Sequence, residues 1–392
     1  MEFSLPQDVK ALQTLTRDVV RKECMPLESK YLPLDMYEEY FPEDEAHLTK
    51  IAKESGLWDA HIPKNFGGGG QGYLANLVVR EELYYSAVIL PQAEIIPSLF
   101  EANAYQQERF LYPVLRGEKL SAFAQTEPDS GSDPGNSMKT HAVKRGDTWV
   151  INGRKMFTSY SGACDFWQLP AVTDRAKRQH GITMFLVEKG TPGISYREIP
   201  TWQYRRTPKR ATYELFLENV EVPEKHILGG IGRGFQLGQK WLTDYRLIRG
   251  GTSLGQMQRA FDICVDWAKR RHSFGKPIAT RQAIQHKLVE MHIDILALRS
   301  LSYQAAKDAD EGKDLREDAS LIKLIAARWG HHCLDHAMQI MGGIGLTLEL
   351  PIARFYRWVR TARIVGGTDE MHTMVLARDI LGREYVDPYT NT

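Results

Sequence analysis

The sequence predicts an α+β protein built from a helical region, a β-rich region and a second helical region, in that order. Three observations carry this expectation. Apolar residues recur at three- and four-residue intervals from near the N-terminus to about residue 120. Short segments rich in β-branched and aromatic residues, punctuated by Gly, Pro and Asp, fill residues 121–222. Long helical patterns return after Gly234. The expected boundaries are 1–120, 121–230 and 231–392. No strand–helix alternation appears, which argues against a doubly wound dinucleotide fold.

In the first region Val9, Leu12, Leu15, Val19 and Val20 mark one helix face. The four glycines at 67–70 cost too much backbone entropy for a helix interior and predict a connecting loop. In the second region TWVING, FWQLPAVTD, GITMFLVEKG and YELFLENVEV read as strands. The basic clusters at 174–179 and 205–210 read as solvated turns between them. In the third, residues 319–341 carry helical spacing that Gly342-Gly343 stops, and Gly382 ends the last helix in the same way. The segment Gly230-Ile231-Gly232-Arg233-Gly234-Phe235 has a misplaced third glycine and no βαβ unit around it, so it is not a dinucleotide fingerprint.

Composition narrows the function classes. A chain of 392 residues, 43% hydrophobic, is long enough for a large core. Fifty basic against 49 acidic side chains give no bias toward nucleic acid or anionic membranes. Cys24, Cys164, Cys264 and Cys333 are widely spaced and read as reduced thiols. No leader pattern opens the sequence, and no apolar run reaches the roughly 18 residues of a membrane span. The expectation is a soluble, cytoplasmic protein.

His331, His332, Asp335 and His336 form the most metal-like cluster. On a helix they divide between two faces, and no third ligand is evident beside either pair. They read as packing or interface residues, with no metal. No Ser, His and Asp set stands out from the background to support a hydrolase.

Six segments carry a more specific signal: AFAQTEPDSGSDP at 122–134, NGRKMFTS at 152–159, RRHSFGKP at 270–277, QAIQ at 282–285, QIMGGIG at 339–345 and IVGGTDEM at 364–371. In this order they resemble the acyl-CoA dehydrogenase family, over roughly residues 60–382. The resemblance implies an N-terminal helical domain, a central β-barrel or sandwich and a C-terminal four-helix bundle. It implies FAD as cofactor and an acyl-CoA thioester as substrate. Gln125 and Thr126 would meet the polar edge of the flavin ring. Phe157 stands where relatives often have Trp, beside Thr158, and Ser159 replaces a common Thr. Ser132 would approach both flavin and pantetheine. Arg271 would meet the pyrophosphate, for which a guanidinium is well shaped, and Ser273, Phe274 and Gln282 would also bind the cofactor. Gln339, Gly342 and Gly343 would serve a neighbouring subunit's FAD, which implies a homotetramer or at least a dimer. Thr368 and Glu370 would face the phosphate–adenosine side. The expected electron acceptor is an electron-transferring flavoprotein.

The departure lies at Gly366, where relatives commonly carry the glutamate that removes the α-proton. Its backbone N–H can still bind a thioester oxygen, but the carboxylate is gone. A second lineage keeps its glutamate on a helix just before an Arg. There this chain reads Leu242-Thr243-Asp244-Tyr245-Arg246-Leu247, with Tyr245 in the glutamate position and Arg246 retained. An unshifted phenol, with pKa of about 10, is a poor base at neutral pH. Asp244, Glu82 and Glu94 remain as base candidates. Their alternative roles are a solvated or ring-edge carboxylate, a surface charge and a buried polar contact, respectively. The reaction expected is formation of a C=C bond in an acyl-CoA, with an unusual or relocated base and a non-standard, bulky acyl group. The alternatives are enoyl-CoA reduction with the same flavin, and a homologue that binds FAD or acyl-CoA without turnover.

Overall fold

The chain divides into two units in the computed structural model, which describes residues 5–36, 38–202, 207 and 209–386. One unit contains the chain up to Pro91 and from Thr243 onward; the other runs from Gln92 to Leu242. Residues 205, 206 and 208 of the basic 205–210 turn lie outside the described residues.

In the helical unit, α1 (Gln7–Val19), α2 (Pro42–Glu54) and α3 (Tyr73–Leu83) precede the long helices α4 (Gly234–Arg270, part of this unit from Thr243), α5 (Gln282–Asp310) and α6 (Arg316–Met341). Two shorter helices follow, α7 (Ile352–Ala362) and α8 (Asp369–Leu381). Val9 of α1 and Leu74, Leu77 and Val78 of α3 share one core with Leu254, Met291, Leu298, Ile322 and Phe355 of the later helices. The N-terminal helices therefore complete the bundle core. Leu15, placed by its spacing with the apolar face, is instead 40% exposed. Helix α4 packs closely on α3 because it lacks side chains where they cross. A Cβ at Gly255 would lie 2.3 Å from the Glu81 carbonyl oxygen, and one at Gly251 2.5 Å from that of Leu77. Helices α6 and α8 end at Gly342 and Gly382, both at positive φ. Among the described residues no helix is long and apolar enough to cross a membrane.

The β-unit contains β1 (Ser121–Phe123), β2 (His141–Arg145), β3 (Thr148–Ser159), β4 (Phe166–Val172), β5 (Ile182–Glu188), β6 (Ile194–Ile199), β7 (Thr212–Pro223) and β8 (Ile227–Leu228). Each of the four strand segments expected from sequence is present. The sheet order is β6-β7-β3-β2-β4-β5-β8, with β1 parallel to β4. Strands β2 and β4 join through the single pair His141↔Val172. Residues from both sides of that junction, including Trp149, Leu215, Trp167 and Phe185, nevertheless share one core. The two parts thus cover a common interior as in a sandwich. The barrel alternative is corrected: among the described residues the sheet is open, because its end strands β6 and β8 do not pair with each other.

A buried ion pair ties β3 to the loop after β1. Lys155 Nζ lies 2.9 Å from Glu127 Oε1, with both side chains almost completely buried. Burial pushes Lys155 down to about 8 against the pull of Glu127. Burial also opposes the Glu127 charge, but Lys155 and hydrogen bonds from Thr140 and Lys139 outweigh it and hold the carboxyl below its usual value. Removing one partner strands the other charge. Lys155→Met is expected to cost about 3–5 kcal/mol of stability. Adding Glu127→Gln should recover part of that loss in a double-mutant cycle by denaturant unfolding. Additive losses would contradict direct coupling.

Candidate active site

The expected flavin-facing residues of the β-unit are brought together by backbone pairing. Gln125 and Thr126 follow β1 directly. The Met156 N–H donates to the Thr126 carbonyl at 2.7 Å, and Lys155 Nζ to that of Gln125 at 3.3 Å. Between Lys155 and Thr158 the β3–β7 register shifts. At this irregularity Phe157 takes φ +56° and is 56% exposed. A bulky side chain rarely adopts that backbone conformation. The shift turns Thr158 inward, where its hydroxyl is buried and has no hydrogen-bond partner among the described residues. An exposed aromatic face beside a buried, unsatisfied hydroxyl suits a flat ring with polar edges. These residues fit a flavin. Ser159 and Ser132 are both exposed. Glu94 pairs with Arg210 at 2.9 Å and with Lys209 at 3.6 Å, and Arg210 also donates to the Tyr160 hydroxyl.

In the helical unit, residues 363–368 form the turn between α7 and α8. Thr368 caps α8 by accepting from the Met371 N–H. Gly366 and Gly367 have φ +76° and +106°. Having no side chains, they are held by their carbonyls. Arg246 Nε donates to Gly366 O at 3.0 Å, His372 Nε2 lies 3.3 Å from the same oxygen, and Lys323 Nζ donates to Gly367 O. Lys323 is pushed down to about 8, first by burial; Asp369 opposes the shift and Arg249 and Arg246 add to it. Burial, with Arg246 and Lys323 nearby, pushes His372 down to about 3. His372 is therefore neutral, and a bond to a carbonyl requires its proton on Nε2. Asp369 Oδ2 accepts from Arg363 at 2.8 Å and Arg328 at 3.4 Å. Among the described residues no hydrogen bond uses the Gly366 N–H.

Tyr245 occupies the space beside Gly366. A Cβ there would lie 3.0 Å from Tyr245 Cε1. Arg249 Nη2 donates to the Tyr245 hydroxyl, and its guanidinium lies 4.5 Å from the Tyr245 ring centroid and 4.4 Å from that of Trp358.

Each carboxylate considered as a base is engaged elsewhere. Asp244 accepts from the Tyr73 hydroxyl at 2.8 Å. Glu82 is buried and takes Arg17 in a two-pronged contact at 2.6 and 3.1 Å, so its reading as a surface charge is corrected. Glu94 has its two cations, as given above.

Arg271, Gly342 and Gly343, from two distant sequence segments, line one groove of about 480 Å³ with Trp267, Ile278 and Ile340. Phe274 stands 99% exposed at the tip of a turn whose Ser273 carbonyl accepts from Arg281. Gln282 opens α5, and Gln339 is exposed near the end of α6. Glu370 is exposed on the first turn of α8. The histidine cluster divides: His332 and His336 meet Asp294 and Glu290 of α5 at 2.7 and 2.6 Å, while His331 lies against Tyr356. Lys323, His372 and Arg249 carry no motif that marks them as site residues from sequence.

Family models for the acyl-CoA dehydrogenase N-terminal, middle and C-terminal domains match residues 6–118, 122–220 and 232–381. The chain belongs to the acyl-CoA dehydrogenase family. It is 32% identical to a short-chain specific acyl-CoA dehydrogenase of Megasphaera elsdenii, over 97% of this chain and 100% of the relative. It is 34% identical to an acryloyl-CoA reductase (NADH) of Anaerotignum propionicum, over 98% and 97%. The solved butyryl-CoA dehydrogenase of Megasphaera elsdenii superposes with a TM-score of 0.84 at 31% identity, covering 97% of this chain and 100% of that one.

Two outcomes follow for this acyl-CoA dehydrogenase family member. Folded His372 stays unprotonated down to about pH 3, whereas an unfolded histidine gains a proton below about 6.5. Its contribution to stability is therefore present above 6.5 and lost as pH falls through that window. His372→Gln should flatten the acid limb of a thermal-midpoint profile between those values; an unchanged limb would refute this. Gly366→Ala should lose about 1–2 kcal/mol from the left-handed backbone alone, read by denaturant unfolding, and an unchanged midpoint would refute the strain.

Proposed function

We propose that this protein is an FAD-dependent oxidoreductase that interconverts an acyl-CoA thioester and its 2-enoyl form, with a bulky or otherwise non-standard acyl group. The observation that carries this reading is the Gly366 turn. Its carbonyls are fixed by Arg246, His372 and Lys323, which leaves the Gly366 N–H available to a thioester oxygen. A rigid backbone donor at that oxygen stabilises the enolate charge that develops when the α-proton moves. FAD, when bound, supplies the two-electron exchange at the β-carbon. Gln125, Thr126, Thr158 and Ser159 would hold the polar edge of its ring and Phe157 its face, while Ser132 would orient the pantetheine arm. Arg271 would bind pyrophosphate, and Ser273, Phe274 and Gln282 would contact the cofactor beside it. The Gln339, Gly342 and Gly343 segment would serve the FAD of a second subunit in a homotetramer or dimer. Thr368 and Glu370 would face the phosphate–adenosine side. An electron-transferring flavoprotein as partner and a cytoplasmic location belong to the same reading.

Net reduction of an enoyl thioester is the second reading. A phenol, not a carboxylate, stands beside Gly366, and phenols are ordinarily protonated at neutral pH. A reductase among the relatives also favours it.

The purified protein should be yellow and gain thermal stability from added FAD. Anaerobic assays in both directions, with straight, branched and aryl CoA thioesters, should find a pair that changes the bound flavin's absorbance. A colourless protein indifferent to FAD would overturn the reading. Bound flavin that no thioester alters would instead identify a binding homologue.

A further inference from the structure

We propose that the Tyr245 phenol, positioned by Arg249, is the group that exchanges a proton with the substrate α-carbon. This rests on the acyl-thioester reading above and names the residue that performs the step left open by Gly366.

Gly366 has no side chain, and the volume into which one would project is occupied by the edge of the Tyr245 ring, 3.0 Å from the would-be Cβ at Cε1 and 3.4 Å at Cδ1. The Gly366 N–H beside it is unused among the described residues. In a thioester the α-carbon lies roughly 2.4 Å from the carbonyl oxygen, as the C=O and Cα–C bond lengths require. An oxygen bound at that N–H therefore keeps the α-carbon in the neighbourhood of Gly366, next to this ring.

The second element is charge. Arg249 is buried, donates to the Tyr245 hydroxyl oxygen and lies against both the Tyr245 and Trp358 rings. A guanidinium fixed at a phenol oxygen stabilises the phenolate that remains after the proton leaves. The third element is exclusion. Asp244 and Glu82 in the same unit are engaged by Tyr73 and Arg17, and His372 is turned onto the Gly366 carbonyl.

The step balances simply. In the direction of reduction the Tyr245 O–H bond breaks and its proton forms a C–H bond at the α-carbon. The enolate electron pair makes that bond, and phenolate is left beside Arg249. In reverse the phenolate oxygen takes the α-proton and the C–H pair enters the enolate. In D2O the reverse step followed by return of a deuteron labels a saturated thioester without any change in oxidation state.

The test uses the FAD-loaded full-length protein with butyryl-CoA and with whichever thioesters it binds, in D2O, scoring α-deuterium by mass spectrometry. Wild type should incorporate label. Tyr245→Phe, which keeps the ring, should slow incorporation by about 100-fold or more, with FAD content and thioester affinity within about threefold of wild type. Tyr245→Glu should restore exchange with a carboxylate-like pH profile. Arg249→Met should move the exchange profile to higher pH, and Arg249→Lys should move it less. A readout that needs no substrate is NMR of ring-labelled tyrosine: one resonance should titrate below the others, vanish in Tyr245→Phe and move up in Arg249→Met. Wild-type exchange in Tyr245→Phe would overturn the proposal, as would a wild type that binds thioester and never exchanges. Failure to bind FAD or any thioester would overturn the functional reading itself, and with it this step.

Discussion

Two adjacent glycines, Gly366 and Gly367, can be held only by their backbone, and the site of this protein is organised around that constraint. Gly366 and Gly367 present carbonyl oxygens, and three basic side chains from α4, α6 and α8 converge on them. The arrangement has a cost. Lys323 and Arg246 are largely removed from water, and burial works against both charges. Carbonyl dipoles and Asp369 offset part of this. His372 escapes by remaining neutral, so it contributes a hydrogen bond without a third buried charge. The result is a loop whose glycine pair is held by side chains from distant segments as well as by the local bonds of Arg363 and Thr368.

The β-unit solves a related problem differently. Its motif residues lie on two chain segments, and the buried Lys155–Glu127 pair and the Met156–Thr126 hydrogen bond clamp the segments together. The local register shift then turns Phe157 outward and Thr158 inward. The strained φ at Phe157 persists because the flanking strand is anchored on both sides of it, so backbone strain and ligand fit share one cause.

Much of the fold was legible because it depends on periodicity. Strand segments with β-branched and aromatic content became β3, β4, β5 and β7, and the glycine stops at 342 and 382 ended helices. Leu15 misled because helical spacing identifies a face but not how far the neighbouring elements cover it. A barrel and an open sheet share the same strand pattern; pairing of the end strands distinguishes them, and among the described residues β6 and β8 do not pair. Glu82 looked like a surface charge because nothing in its own helix reports that Arg17 will reach it.

The sequence by itself determined the family, the order of the three regions and the absence of a carboxylate at two positions, because these are matters of residue identity and spacing. Tertiary structure decided what fills the gap. Tyr245 and Gly366 lie 121 positions apart, and only chain packing puts the ring where a side chain would be. The same holds for Lys323, His372 and Arg249, whose significance comes from burial and from carbonyls and rings supplied by distant segments. Burial is a property of the folded neighbourhood, which no local pattern of residues encodes.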